Sequence, residues 1–234
     1  MNSFLRHIIL PLRDFIYPPL CFSCSQRLND GEVRVCSTCW ESFAKVHHGD
    51  PAWLEFKAKF DAEGAVKDFL VCFLFEKEGK LQNVIHHLKY SGIKSLGVQL
   101  GREIGDKIIS NSMFASADYL IPVPLHKLKQ RERGYNQSEY LCKGIVEVMS
   151  IPINTTFLIR KKYTESQTQL NFEQRKENVG DAFVINLKYQ SEIQEKTFIL
   201  VDDVITTGST INACAKELIN HGAACVLAAS AALA

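Results

Sequence analysis

The stretch Phe198-Ile199-Leu200-Val201-Asp202-Asp203-Val204-Ile205-Thr206-Thr207-Gly208-Ser209-Thr210 constrains the fold more than any other part of this 234-residue chain. Four apolar residues in a row, Phe198 to Val201, describe a short strand covered on both faces, as in parallel sheets. Two carboxylates then stand where such a strand delivers its C-terminal end. A hydroxyl-rich loop with one glycine follows, and then an amphipathic helix from Ser209 to His221. Ligands of open α/β sheets bind at this kind of strand-to-helix corner.

The remainder of the chain repeats the alternation. Phe69 to Phe75 is an apolar run of strand length, and Leu81, Val84, Ile85 and Leu88 recur at helical spacing. A second helix is expected after Gly97, with Leu100, Ile104 and Ile108 on one face. Tyr119 to Val123 reads as a strand ending in Pro122-Val123-Pro124 and Gln137 to Met149 as a helix. Asn154 to Ile159 is expected to be a strand, Arg160 to Asp181 a polar loop, and Val226 to Ala229 a last strand. Ser209 or Thr210 is the expected N-cap of the final helix. The pattern predicts an α/β fold whose open, mainly parallel sheet is flanked by helices on both faces.

Hydrophobic content of 46% and charge of 23% are ordinary for a globular chain, and a net charge of +1 supplies no global field to recruit a polyanion. At the N-terminus, Phe4, Leu5, Ile8, Ile9, Leu12, Phe15 and Ile16 recur at helical spacing. With only Arg6 and Arg13 as basic decoration, this helix is expected to pack on its own domain rather than lie on a membrane or dock a partner. The apolar run Ile8-Ile9-Leu10 is short and interrupted by Pro11, so it lacks signal-peptide anatomy. The expectation is a cytoplasmic protein with no spanning segment. Gly49-Asp50-Pro51 marks a change of pattern. Two units are expected, residues 1–60 and 61–234.

The acid-then-hydroxyl order has a chemical logic. Consecutive N–H groups at a helix N-terminus, with Gly208 permitting an unusual dihedral, cradle an anion. The hydroxyls of Thr206, Thr207, Ser209 and Thr210 add donors. Asp202 and Asp203 would repel that anion unless they hold another part of the same ligand, which a sugar phosphate provides: hydroxyls for the acids, phosphate for the amides. A Walker A loop and a dinucleotide fingerprint are both absent from the chain. A receiver domain would place its acids earlier. A merely structural strand and helix leave the two aspartates without a role.

Eight cysteines divide into two groups. Cys72, Cys142, Cys214 and Cys225 are scattered through apolar stretches, as befits a reducing compartment. Cys21-x-x-Cys24 and Cys36-x-x-Cys39 form a four-thiolate signature for structural zinc, with two disulfides or an iron–sulfur cluster as the alternatives. His47 and His48 are expected at the surface rather than on the metal. Phe22, Arg27, Arg34 and Trp40 lie in or beside this module and would suit a nucleic-acid or protein contact, although acidic and basic residues nearly balance over residues 1–60.

The Phe198–Thr210 stretch closely resembles the phosphoribosyl pyrophosphate loop of type I phosphoribosyltransferases. Within that superfamily the chain is similar to the ComF family, competence-associated amidophosphoribosyltransferase-like proteins. The resemblance is carried by the paired Cys-x-x-Cys, Leu88-Lys89-Tyr90 before Gly92, and Ile121-Pro122-Val123-Pro124. It continues through Arg131-Glu132-Arg133-Gly134-Tyr135-Asn136-Gln137 and from Thr168 through Arg175 to Asn178. It implies displacement of pyrophosphate from carbon 1 of phosphoribosyl pyrophosphate with Mg²⁺, Asp202 and Asp203 holding ribose hydroxyls, and Thr206 to Thr210 holding the 5-phosphate. It places a pyrophosphate loop at Val123, with Arg131, Arg133, Arg160, Lys161 and Lys162 as candidate clamps, and a hood over Tyr163 to Asp181. Asn136 and Gln137 are either acceptor contacts or helix caps. The family's link to DNA uptake implies single-stranded DNA and uptake proteins as partners. A phosphoribosyltransferase of unassigned acceptor and a non-catalytic ligand-sensing or DNA-binding module both remain open.

Overall fold

A computed structural model describes residues 18–161 and 182–234. In chain order its elements are α1 (Ser37–Ser42), α2 (Pro51–Glu63), β1 (Asp68–Leu74), α3 (Lys80–Tyr90), α4 (Lys94–Ile109) and α5 (Ser112–Ala115). There follow β2 (Tyr119–Pro122), α6 (Lys127–Arg133), α7 (Gln137–Val148), β3 (Leu158–Arg160) and β4 (Phe183–Ile185). A 3₁₀ turn (Leu187–Tyr189), α8 (Gln190–Ile193), β5 (Thr197–Ile205), α9 (Ser209–Asn220) and β6 (Cys225–Leu233) complete the chain.

Four parallel strands form the central sheet in the order β1-β6-β5-β2. The apolar runs of β5 and β6 explain their central places, because a strand covered on both faces needs apolar residues on each. Along β5, Ile199 and Val201 enter one core with Leu88, Leu100 and Leu141, whereas Phe198 and Leu200 enter another with Phe60, Phe183 and Leu218. The first face is covered by α3, α4, α7 and the cysteine-bearing segment. The second is covered by α2, the β3–β4 hairpin and α9. Both outer strands are shielded, β1 by an antiparallel bridge from Lys45 to Phe73 and β2 by a parallel bridge from Ile153 to Leu120. Such cover blunts edges that would otherwise invite pairing with another chain.

The cysteine segment packs on this core. Cys21, Val35, Cys39 and Phe43 are buried in the first-face cluster, and Phe43 stands edge-on to Phe73 of β1 at 5.5 Å. The helix α2 carries the chain across positions 60 and 61 without a break, and Phe60 meets Phe69 at 5.2 Å.

Several expectations change. The strand bearing the acids does not stop before them: β5 continues to Ile205, because Asp202, Val204 and Ile205 pair with Ser230, Ala232 and Leu233 of an equally extended β6. The helix expected after Gly97 starts at Lys94 and contains that glycine, whose missing side chain makes room for Tyr140 of α7. Of Asn154 to Ile159, only Leu158 and Ile159 are strand. They pair antiparallel with β4 in a separate two-stranded sheet, while the Asn154 N–H donates to Leu120 O on the β2 edge at 2.8 Å. The N-cap of α9 is Gly208, at φ +75°, rather than Ser209 or Thr210. Among the described residues, no helix is long and apolar enough to cross a membrane.

Candidate functional site

The site is assembled at the C-terminal end of β5. Alternation along the strand sends Asp202 and Asp203 to opposite faces. Asp203 is buried and meets the ammonium of Lys89, at the end of α3, with Oδ1 to Nζ at 2.9 Å. Its second oxygen, Oδ2, is buried without a partner among the described residues. Asp202 accepts from the Ser138 hydroxyl at 3.1 Å and from the Asp203 backbone N–H at 2.9 Å. Its carboxyl pKa is raised to about 7 by burial first and the adjacent Asp203 charge second, against the opposing pull of Lys89 and these hydrogen bonds. The Lys89 ammonium on Asp203 and the Ser138 hydroxyl on Asp202 are the groups set against these two neighbouring acids.

The loop after β5 leads directly into a helix N-terminus. Gly208 adopts the left-handed conformation and hands the chain into α9, whose first N–H groups have no intrahelical acceptor. The Thr207 and Ser209 hydroxyls lie 2.8 Å apart, and the Ser209 N–H donates to Thr207 Oγ1 at 3.4 Å. Thr206 is exposed and Thr210 half-buried. Gly208 is hemmed in on its own side, since a Cβ there would stand 2.9 Å from Phe60.

Residues 122–138 wrap the other side. Val123 is buried, its N–H donating to Val201 O at 2.9 Å and its carbonyl accepting from Asn136 Nδ2 at 3.0 Å. Asn136 caps α7 through Ser138 N–H at 3.1 Å, which places Ser138 beside Asp202. Gln137 is buried and its carbonyl oxygen has no partner among the described residues.

The candidate basic residues divide. Arg133 is half-buried in the last turn of α6, its guanidinium 5.4 Å from the Tyr90 ring. Arg160, at the end of β3, lies over Phe183, and burial lowers its pKa against the opposing charges of Cys214 and Asp202. Arg131 is exposed on α6, two residues from Arg133 and so turned to another side. Lys161 is exposed one residue beyond β3. Lys162 and the Tyr163–Asp181 hood lie outside the described residues. Two further cations lie here: Lys89, quoted in the sequence as part of a motif but given no role there, and Lys129, which was passed over. Lys129 has its pKa lowered first by burial, then by Arg160 and Arg133, and more weakly by Lys89. The spacing of Lys129 and Arg133, four apart on one helix face, was the available signal.

The four N-terminal cysteines also converge. None of the eight cysteines is disulfide-bonded, and the sulfurs of Cys21, Cys24, Cys36 and Cys39 all lie within 4.8 Å of one another. Tetrahedral zinc with Zn–S near ~2.3 Å needs sulfurs about 3.8 Å apart, and Cys24 and Cys36 stand at 3.9 Å. The Ser23 and Cys36 N–H groups donate to Cys21 Sγ at 3.4 and 3.3 Å. Burial alone would raise the Cys21 thiol, but backbone donors from Cys36, Cys24 and Ser23 outweigh it and bring it to about 7. Cys39, with less such help, is pushed up to about 12 by burial. This donor set and spacing fit a four-thiolate metal. His47 and His48 are exposed, and His48 packs against Trp53.

Residues 136–233 match the family model described as phosphoribosyl transferase domain. The chain is 29% identical over 149 residues to the DNA utilization protein YhgH of Salmonella typhi, covering 62% of this chain and 64% of that protein. It is 38% identical over 103 residues to competence protein F of Haemophilus influenzae, covering 44% of each. It is 30% identical over 108 residues to competence protein ComFC of Bacillus subtilis, covering 45% of this chain and 40% of that one. The matched regions thus span under two thirds of these relatives' lengths. The domain match begins at the Asn136 cap beside the carboxylate pair and runs through the glycine-capped helix to the last strand of the parallel sheet. Residues 136–233 thus carry a phosphoribosyl transferase domain match, and the chain is similar to competence and DNA utilization proteins.

Proposed function

We propose that this chain binds 5-phosphoribosyl pyrophosphate and transfers its phosphoribosyl group to a nucleophile, releasing pyrophosphate. The observation that carries this is the adjacency of the Asp202–Asp203 pair and the Gly208-capped start of α9 on one strand-to-helix corner. Asp202 and Asp203 would hold the ribose 2- and 3-hydroxyls by charge-assisted hydrogen bonds, and Thr206 to Thr210 the 5-phosphate. Arg133, Arg160, Lys161 and the half-buried Lys129 would hold the pyrophosphate beside Val123, with Arg131 and Lys162 drawing it in from the rim. The two carboxylates are hard oxygen donors, which suit a ligand delivered with a hard divalent cation. Mg²⁺, held by ribose hydroxyls and pyrophosphate oxygens, would neutralise the leaving group. The cysteine quartet would hold one structural Zn²⁺. The names of the relatives support a setting in competence and DNA uptake.

Calorimetry with phosphoribosyl pyrophosphate, with and without Mg²⁺, tests the proposal. Saturable binding that strengthens with Mg²⁺ is expected, and pyrophosphate should appear when an acceptor is supplied. Absence of any heat at millimolar ligand would remove the proposal.

A second activity, grip on single-stranded DNA, is favoured by a band of rings and cations. The Arg34 guanidinium lies 5.7 Å from the Phe22 ring, and Phe22 meets His87 at 4.8 Å. Next along α3, His86 meets Tyr90 at 4.9 Å, and Arg133 covers Tyr90. Tyr90 is 65% exposed, enough for a base to stack on it. Affinity for an oligothymidine should fall steeply with salt, and Tyr90→Ala, Arg34→Ala and Arg131→Ala should each weaken it. No binding at low salt would exclude this activity.

A further inference from the structure

Lys89 of the Leu88-Lys89-Tyr90 motif has no role in the transfer proposed above, yet it reaches the centre of the site. Lys89 ends α3, and its Nζ lies 2.9 Å from Asp203 Oδ1, with the lysine side chain 22% and the aspartate side chain 4% exposed. The helix that presents it is tied down at both ends. Near its start, Lys80 O accepts from the Ser23 hydroxyl at 3.1 Å, and Asn83 Nδ2 donates to Ser23 O at 2.9 Å. At its finish, the Tyr135 hydroxyl donates to Leu88 O, the residue before the lysine. A side chain on so firmly held an element has few alternative positions. Lys89 therefore engages one oxygen of Asp203 while the other, Oδ2, is left without a partner among the described residues.

We propose that Lys89 is a positioning residue of the ribose subsite: it fixes the Asp203 carboxylate as a charged acceptor with one oxygen committed and the other turned to ligand hydroxyls. The inference rests on the sugar-phosphate function proposed for this corner. Its chemistry is that of a buried carboxylate, which holds a fixed orientation only while a partner compensates it. Without the ammonium, Asp203 stands next to Asp202 in β5 with no counter-charge from Lys89, and it no longer offers a defined acceptor. Lys89 acts through Asp203, so its removal should affect ribose recognition and leave the phosphate cradle of Thr206 to Thr210 alone.

The test measures dissociation constants for ribose 5-phosphate and for inorganic phosphate in full-length wild type, Lys89→Met, Lys89→Arg, Asp203→Asn and the Lys89→Met/Asp203→Asn double variant. Thermal melts in parallel establish that each is folded. Lys89→Met is expected to weaken ribose 5-phosphate about tenfold or more and to leave inorganic phosphate within about twofold. Lys89→Arg should restore most of the loss. The double variant should bind ribose 5-phosphate no worse than the worse single variant, because both changes remove one interaction. Equal loss of both ligands in folded Lys89→Met, or additive losses in the double variant, would overturn the positioning role. So would wild-type-like binding of ribose 5-phosphate by Lys89→Met. Failure of the wild type itself to bind ribose 5-phosphate would instead remove the site assignment, and this inference with it.

Discussion

Asp202 and Asp203 are neighbours with different environments, and that difference sets how each responds to change. Asp202 has its pKa raised to about 7, chiefly by burial. A carboxyl whose folded pKa exceeds its unfolded value binds more protons when folded, so it opposes folding increasingly as pH rises through the interval from about 4 to about 7. Asp202→Asn should therefore raise the ligand-free melting temperature, more at pH 8 than at pH 5, while weakening ribose 5-phosphate. A variant that melts at the wild-type temperature at both pH values would show that the carboxyl is not strained. Gly208 acts differently. At φ +75° and with the Phe60 ring 2.9 Å from where a Cβ would stand, any side chain there is strained and must push that ring aside. Gly208→Val should abolish binding of both ribose 5-phosphate and inorganic phosphate. The Asp202→Asn/Asp203→Asn double change should spare inorganic phosphate or improve it, since two negative charges leave the neighbourhood. Each lost charge-assisted hydrogen bond to ribose is worth about 1.5–3 kcal/mol. Calorimetry with the two ligands separates these outcomes.

At the scale of elements, the site depends on two helices that lie unusually close. Gly97, Gly101 and Gly105 recur every fourth residue along one side of α4, against α7. A Cβ at Gly101 would come within 2.1 Å of Leu141 O, and one at Gly144 within 2.1 Å of Val98 O. These obstacles are backbone, so no rotamer change relieves them and the helices must separate. Gly101→Ala should cost about 3 kcal/mol of stability, the upper end of the usual overpacking range. Because α7 carries Ser138 to Asp202, ribose 5-phosphate binding should weaken too. An unchanged urea midpoint would contradict the close contact.

For the whole molecule, the cysteine module shares one core with the sheet's first face. Its knuckle at Ser23 also holds α3, which carries Lys89. Metal loss should therefore be felt by the whole chain and not only locally. Purified reduced protein is expected to contain about one zinc per chain by elemental analysis. Stripping it with a chelator should lower the melting temperature of the main transition. Cys21→Ala should destabilise far more than Cys142→Ala, the one breaking a coordination shell and the other shortening a single buried side chain on α7. Protein free of metal, or holding iron, would contradict the assignment.

The features that short-range order can express were legible in the residues themselves. Acids, hydroxyls and glycine follow one another between Asp202 and Thr210, and the paired Cys-x-x-Cys spacing specifies two thiol turns, because a loop or a knuckle is chemistry within a few residues. The alternation of apolar runs likewise specified a parallel sheet covered on both faces. Tertiary structure alone decided which distant groups meet. Lys89 on α3 reaches Asp203 on β5 only because both elements belong to the first face of the sheet. Lys129 on α6 feels the charge of Arg160 on β3 only because the fold brings these two elements near each other. The extension of β5 to Ile205 depends on β6 offering partners up to Leu233. Periodicity records which side of an element is buried, but the partner on that side is set by crossovers between segments far apart in the chain, and no local pattern carries that information.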